Sequence, residues 1–314
     1  MWTVAQLGAG LAAGRTTSRE LVEQALARIA DPAGEGSRAF MKVYAEGARA
    51  EADHCDRLRK AGVRRSPVDG LPVSLKDLFD VAGDVTRAGS KLFQKKATQD
   101  AAAVARLRAA GAVFIGRTNM VEFAFGGVGL NPHYGTPKNP WDRPKRSAAE
   151  PLGGRVPGGS SSGAAVAQAD GMCVMALGSD TRGSIRQPAA LCGVAGFKPT
   201  ASRVPREGAF PLSYSLDSVG PLANSVACCA AYDAVLAGEA DASLPELPVK
   251  GLRLLLPKSS ALQELDAEVE KAFFRALERL SAAGAALAEV AVPAFDRQAE
   301  YFRGGGLAGA EVVQ

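Results

Sequence analysis

Histidine is nearly absent: His54 and His133 are the only two in 314 residues. They stand far apart in the chain, not at the i, i+4 spacing of an HExxH zinc site, and few histidines are left for base catalysis. Cysteine is also sparse. Cys55, Cys173, Cys192, Cys228 and Cys229 are odd in number and contain no CxxC. They read as reduced, mostly buried thiols, not as a disulfide framework or a zinc site. No run of 18 uncharged apolar residues occurs, so no membrane-spanning helix is expected. Met1–Arg15 lacks the positive start of a signal peptide, and a cytoplasmic location is the default expectation. Net charge is only +4, from 37 basic and 33 acidic residues. The nearest thing to a basic block is RPKR at Arg143–Arg146, read as a solvated loop, so charge gives no reason to expect nucleic acid.

What remains is a chain that is 47% hydrophobic and 22% charged, long enough to bury a sizeable core. Thr17-Ser18-Arg19-Glu20 forms a capping box before Leu21, Val22, Ala25, Leu26 and Ile29 at helical spacing. A second helix is expected over about Tyr44–Lys60. Together these give a helical layer over 1–65. From Ser66 the texture changes. Leu71–Val81 reads as a buried strand, Asp100 as the cap of a helix over Ala101–Ala110, and Ala112–Gly116 as a strand. Ala164–Ala169 reads as a helix and Met172–Leu177 as a strand. Such alternation is the α/β signal. Farther on come a strand at Leu252–Leu256 and an amphipathic helix bearing Val269, Phe273, Ala276, Leu277 and Leu280. A strand at Leu287–Val292 and a Gly-rich stretch at 304–314 follow.

The informative region runs from Gly158 to Thr200. Gly154 and Gly159 have phosphate-loop spacing, but Ser160 stands where that loop needs lysine. Gly159-Ser160-Ser161-Ser162-Gly163 matches the GxSxG nucleophile turn, which then needs a later histidine; both histidines precede it. A chymotrypsin-like order could use an early histidine, but His54 on a charged helix and His133 in a Pro/Gly loop read as surface or loop residues. SxxK is absent. A serine served by a distant lysine remains. Lys76 is the candidate, because it interrupts an apolar strand pattern in GLPVSLKDLFDV. Burial drives a lysine toward neutrality, which makes it a base near pH 7. The competing reading is a strand-end lysine paired with Asp77 or Asp80.

Lys76 in LPVSLKD, Ser160 in PGGSSSG and Ser184 in GSDTRGSIRQPAA together resemble the amidase signature family. GRTNMVEFAFG (Gly116–Gly126), CGVAGFKPT (Cys192–Thr200) and SLDSVGPLA (Ser215–Ala223) resemble it too. The resemblance implies one amidase domain over 1–314: the helical layer to residue 65, a catalytic α/β core at 66–240 and a partial C-terminal part at 250–314. Its central sheet would be mixed, with helices on both faces. It implies Lys76 as base, Ser160 as relay on a cis peptide and Ser184 as nucleophile. The backbone amides of Thr181, Arg182, Gly183 and Ser184 would serve as oxyanion donors, and Asp180 and Arg186 as a structural ion pair. Ser184 could also cap a helix, and Ser161 and Ser162 would shape the loop.

The implied substrate is a small linear amide, with no metal or organic cofactor and no membrane. A homodimer is compatible with the pattern. GSDT, GSIRQPAA and CGVAG also resemble the family's A subunit of tRNA-dependent amidotransferases, the one context in which nucleic acid would matter. Arg182 stands where much of the family has glycine; it could meet a substrate carboxylate or pair elsewhere. The family usually continues beyond this length, where it adds strands and covers the substrate pocket, so a third reading is a shortened, catalytically silent homologue that keeps the triad. The loop RPKRSAAEPLGGRVPGG before Ser160 also looks longer than usual.

Overall fold

The computed structural model describes residues 2–141, 143, 153–239, 245–259, 262–303 and 306–311. They divide into two compact units, Met1–Ser243 and Leu244–Gln314.

The first unit begins with α1 (Val4–Ala12) and α2 (Ser18–Ala30). Thr17 caps α2 as its sequence predicts. Its hydroxyl accepts the Glu20 amide at 3.1 Å, and the Glu20 carboxylate accepts the Thr17 amide at 3.0 Å. Next come α3 (Gly36–Ala39), β1 (Phe40–Val43) and α4 (Ala45–Lys60). The first 65 residues are therefore not helical throughout, because β1 leaves the layer and joins the sheet. Four residues are too short a run to show strand periodicity.

Then follow β2 (Pro72–Lys76), a small hairpin of β3 (Val85–Thr86) and β4 (Lys95–Lys96), α5 (Ala102–Ala109) and β5 (Val113–Thr118). The unit continues with α6 (Ser162–Ala169), β6 (Met175–Asp180), α7 (Arg186–Cys192), β7 (Ala195–Gly196), β8 (Ser218–Ala223) and α8 (Val226–Ala237). Asp100 does not cap α5. Its carboxylate accepts the Ala82 amide at 2.8 Å and pairs with Arg108 at 2.7 Å. Those partners tie α5 to the turn after β2 instead.

The sheet order is β1-β5-β2-β6-β8-β7. β2 runs parallel to β5 and β6, whereas β1, β8 and β7 pair antiparallel with their neighbours. Every residue of β2, β5, β6 and β8 is buried. A strand covered on both faces needs that continuous burial, not alternation. Val73, Leu75 and Phe114 pack with Leu7 of α1, Leu107 of α5 and Tyr232 of α8. Val113, Ile115 and Ala176 pack with Val22 of α2, Ala52 of α4 and Ala165 of α6. The first unit is thus a mixed sheet with helices on both faces, the fold its motifs imply. Cys228 and Cys229 lie buried on α8 as packing thiols. Among the described residues, no helix is long and apolar enough to cross a membrane.

In the second unit, β9 (Arg253–Lys258) and β10 (Ala286–Ala291) pair in parallel, joined by α9 (Ala267–Ala282). The apolar stripe is present, but Val269 and Ala276 are exposed, while Phe273, Leu277 and Leu280 are half-buried. Short helices α10 (Pro293–Asp296), α11 (Gln298–Arg303) and α12 (Gly306–Glu311) follow. Residues 144–152 of the loop before Ser160, and 304, 305 and 312–314 of the Gly-rich stretch, lie outside the described residues. Arg143 is not simply solvated: its guanidinium binds both carboxylate oxygens of Asp170, at 3.1 and 2.9 Å.

Candidate active site

The carboxyl ends of parallel strands are where open α/β sheets bind ligands. β2 ends on Lys76 and β6 ends on Ser179 and Asp180. Lys76 is fully buried. Its Nζ lies 2.8 Å from Ser160 Oγ and 2.9 Å from Ser179 Oγ. Burial brings its pKa down from 10.5 to about 7, while the charges of Asp217 and Asp180 pull it upward. Neither acidic neighbour weighed from the sequence pairs with it. Asp77 accepts Arg117 Nε at 2.7 Å and the Gly89 amide at 3.2 Å. Asp80 takes Lys95 at 2.7 Å and Thr86 at 2.8 Å.

Ser160 stands on a cis Gly159–Ser160 peptide. Its loop is laced to the 121–129 segment. The Gly158 amide donates to Val128 O at 3.1 Å, Gly159 to Gly127 O at 2.8 Å, and Val121 to Ser160 O at 3.1 Å. The two backbones approach so closely that a Cβ on Gly129 would sit 2.3 Å from Gly158 O. Glycine permits this lacing. The Ser161 amide donates to Ser184 O at 3.2 Å, which seats the two serine segments side by side. Ser161 Oγ reaches Ser179 O at 3.4 Å. Ser162 Oγ is buried without a hydrogen-bond partner, so it does not shape the loop as its sequence context implies.

Gly163, at the start of α6, packs directly against the backbone at the end of α3 and just after β5: a Cβ there would meet Ala39 O at 2.4 Å and the Asn119 amide nitrogen at 2.7 Å. Gly163→Ala is expected to push α6, and Ser160 with it, off the sheet, at about 1–3 kcal/mol by overpacking. Urea melts beside the parent chain check this; an unchanged midpoint would mean the helix can slide without cost.

Ser184 lies in the turn after β6 and is 8% exposed. It does not cap α7, whose cap is Ile185. Asp180 takes over that duty. Its carboxylate accepts the amides of Gly183 at 2.7 Å, Ile185 at 3.1 Å and Arg186 at 3.3 Å. It also holds the Arg186 guanidinium at 3.0 Å through both Nε and Nη2. Burial alone would raise the Asp180 pKa, but Arg186 and these amides more than offset it and leave it lowered. The Gly183 amide is thus turned onto Asp180, apart from the other three amides of the expected donor set. Thr181 donates its hydroxyl to Asp217 Oδ1 at 2.5 Å, and Arg182 is exposed. His133 pairs with Glu122 at 3.1 Å, and His54 lies on α4.

The sequence reading missed Ser179 and Asp217. Both lie inside stretches it singled out, GSDTRGS and SLDSVGPLA, but nothing in one dimension says that they converge on Lys76.

The family profile described as Amidase matches residues 20–313. The chain is 39% identical over 301 residues to the A subunit of the glutamyl-tRNA(Gln) amidotransferase of Synechococcus sp. (strain WH7803), covering 91% of this chain and 60% of that protein. It is similar to the native peptide amidase structure from Stenotrophomonas maltophilia, with TM-score 0.81, 36% identity, and 96% and 63% of the two chains covered. It also resembles the structure of the A subunit of glutamyl-tRNA(Gln) amidotransferase from Thermotoga maritima, with TM-score 0.74, 29% identity, and 94% and 63% covered. The chain spans about 60% of the length of the curated relatives it matches.

Proposed function

The chain belongs to the amidase family, and on that premise we propose that it hydrolyses a small linear amide to a carboxylate and ammonia or an amine. One observation carries the reading. Lys76 is sealed from water, its pKa is brought to about 7, and it sits 2.8 Å from Ser160.

In this mechanism Ser184 Oγ attacks the amide carbonyl. Its proton passes to Ser160 as the Ser160 proton passes to neutral Lys76. The carbonyl becomes a tetrahedral oxyanion, facing the amides that follow β6. Thr181, Arg182 and Ser184 are the donors assigned to it; Gly183 joins them only by giving up Asp180. The proton returns through Ser160 to the leaving nitrogen, the C–N bond breaks, and an acyl-Ser184 ester remains. Water then attacks that ester, giving its proton to Ser160 as Ser160 passes one to neutral Lys76; the relay returns the proton to Ser184 Oγ as the ester C–O bond breaks, and the acid leaves. Asp180 and Arg186 hold the turn and do not react.

Intact mass after treatment with a fluorophosphonate tests the assignment. One adduct is expected on the parent chain and none on Ser184→Ala. An adduct that survives in Ser184→Ala would move the nucleophile elsewhere, and no adduct on the folded parent would overturn the reading. The 39% identity to the A-type chain of an amidotransferase favours a second reading, in which the same site releases ammonia from glutamine for a tRNA-bound partner. Glutaminase activity that appears only with partner proteins would select it.

A further inference from the structure

We infer that Asp217 is a positioning residue for this site, one that locks the loop of proposed oxyanion donors to the turn before β8 and sets its charge toward the buried lysine. The inference rests on the proposed function and goes beyond it, because it gives a role to a carboxylate outside the triad and the Asp180–Arg186 pair.

Asp217 binds two segments at once. Oδ2 accepts the amides of Leu212 at 2.9 Å and Ser213 at 3.1 Å, which closes the 212–217 turn. Oδ1 takes the Thr181 hydroxyl. Thr181 is the first residue after β6 and opens the stretch that ends on Ser184. A single carboxylate therefore fixes where that stretch begins. Asp217 and Ser179 also line the same cavity, of about 260 Å³, with Leu78, Phe210 and Val219 as apolar walls. Ser179 is the hydroxyl 2.9 Å from Lys76 Nζ, so the cavity that Asp217 lines reaches a direct hydrogen-bond partner of the lysine.

The other charged groups around Lys76 are already matched. Just after β2, Asp77 is paired with Arg117; at the end of β6, Asp180 is paired with Arg186. Beside the cavity, Arg206 donates to the carbonyls of Tyr214 and Asp217, not to the Asp217 carboxylate. Asp217 accordingly exerts the larger of the two upward pulls on Lys76, ahead of Asp180.

The test compares Asp217→Asn with Thr181→Val on the full chain. Thr181→Val cuts the tether but keeps the turn and the charge. Its fluorophosphonate labelling rate is expected to fall about 10- to 100-fold, as for a misplaced catalytic loop, with the pH dependence unmoved. Asp217→Asn is expected to lose at least as much rate. It also removes a charge that favours protonated lysine, so the acid limb of its labelling profile should move to lower pH. A purely structural turn residue would not move that limb. Labelling at parental rate in Thr181→Val, or an unmoved limb in Asp217→Asn, would overturn the inference. ¹³C NMR of the lysine side chains, with the Lys76 signal assigned by its loss in Lys76→Met, reads the same titration without any activity. If the parent chain takes no label, the proposed function fails, and an unchanged Lys76 midpoint in Asp217→Asn would separately sink the role given to Asp217.

Discussion

Lys76→Met is expected to lose about 10²- to 10⁴-fold in labelling and hydrolysis rate, the range set by removing a general base, while becoming more stable than the parent chain. The two effects have one cause. A lysine buried completely among Ser160, Ser179 and apolar strands is costly to keep charged. Its pKa falls from 10.5 to about 7. Between those values the native state binds fewer protons than the unfolded one, so stability rises with pH across that window. Below about pH 7 the full penalty applies, on the order of 5 kcal/mol at about 1.4 kcal/mol per unit. Methionine has similar volume and no charge. The stability gap between variant and parent should therefore be widest below pH 7 and close as pH approaches 10. Parental activity should rise with pH through about 7, as the lysine becomes neutral. Urea melts from pH 6 to 10, run beside labelling rates, check both halves. A variant that labels at the parental rate would remove Lys76 from the mechanism. A stability gap that ignores pH would mean the lysine is not buried as a free base.

The residues that were legible in the sequence are those whose neighbours in the chain already make a pattern. Thr17 and Glu20 cap α2 across three residues. Lys76 stands out because a cation interrupts an apolar strand, and Ser160 and Ser184 stand out within Gly/Ser motifs. The layered sheet follows from alternation of segments that are each several residues long. Asp100 shows the limit of local reasoning. It precedes a helix, as a cap should, yet Arg108 and the Ala82 amide draw its carboxylate away. Ser184 fails as a cap for a similar reason, since Asp180 already collects the amides at the start of α7. β1 was hidden by its shortness. Ser179, Asp217 and Arg117 were hidden by distance: each acts on a segment at least 36 residues away. Their identity as polar residues was plain, but their partners were not.

Arg117→Met is expected to cost about 3–5 kcal/mol, as removal of one member of a buried ion pair does. The side chains of Arg117 and Asp77 are both 0% exposed, with Nε and Oδ1 2.7 Å apart. The same guanidinium also ties down the turn that follows Lys76, because Nη2 donates to Asp77 O at 3.0 Å and to Phe79 O at 2.9 Å. Without it, the Gly89 amide, at 3.2 Å, is the one donor left to the Asp77 carboxylate among the described residues. For a unit of this size, the loss corresponds to a fall in Tm on the order of 10 °C. Burial already raises the Asp77 pKa, against the pull of Arg117. With Arg117 gone it should rise further. A carboxyl whose folded pKa lies above its unfolded value binds extra protons in the native state, so stability drops as pH climbs through that interval. The deficit of Arg117→Met should therefore be largest at neutral pH and shrink toward pH 4. Removing the orphaned charge as well, in Arg117→Met/Asp77→Leu, should recover much of the loss. Melts of the parent, single and double variants at pH 5 and 7 decide it. A single variant that melts within a degree or two of the parent would mean that the strand turn, not the ion pair, holds this end of the sheet. A double variant that recovers nothing over the single would mean that the backbone bonds to Asp77 and Phe79 are what Arg117 chiefly supplies.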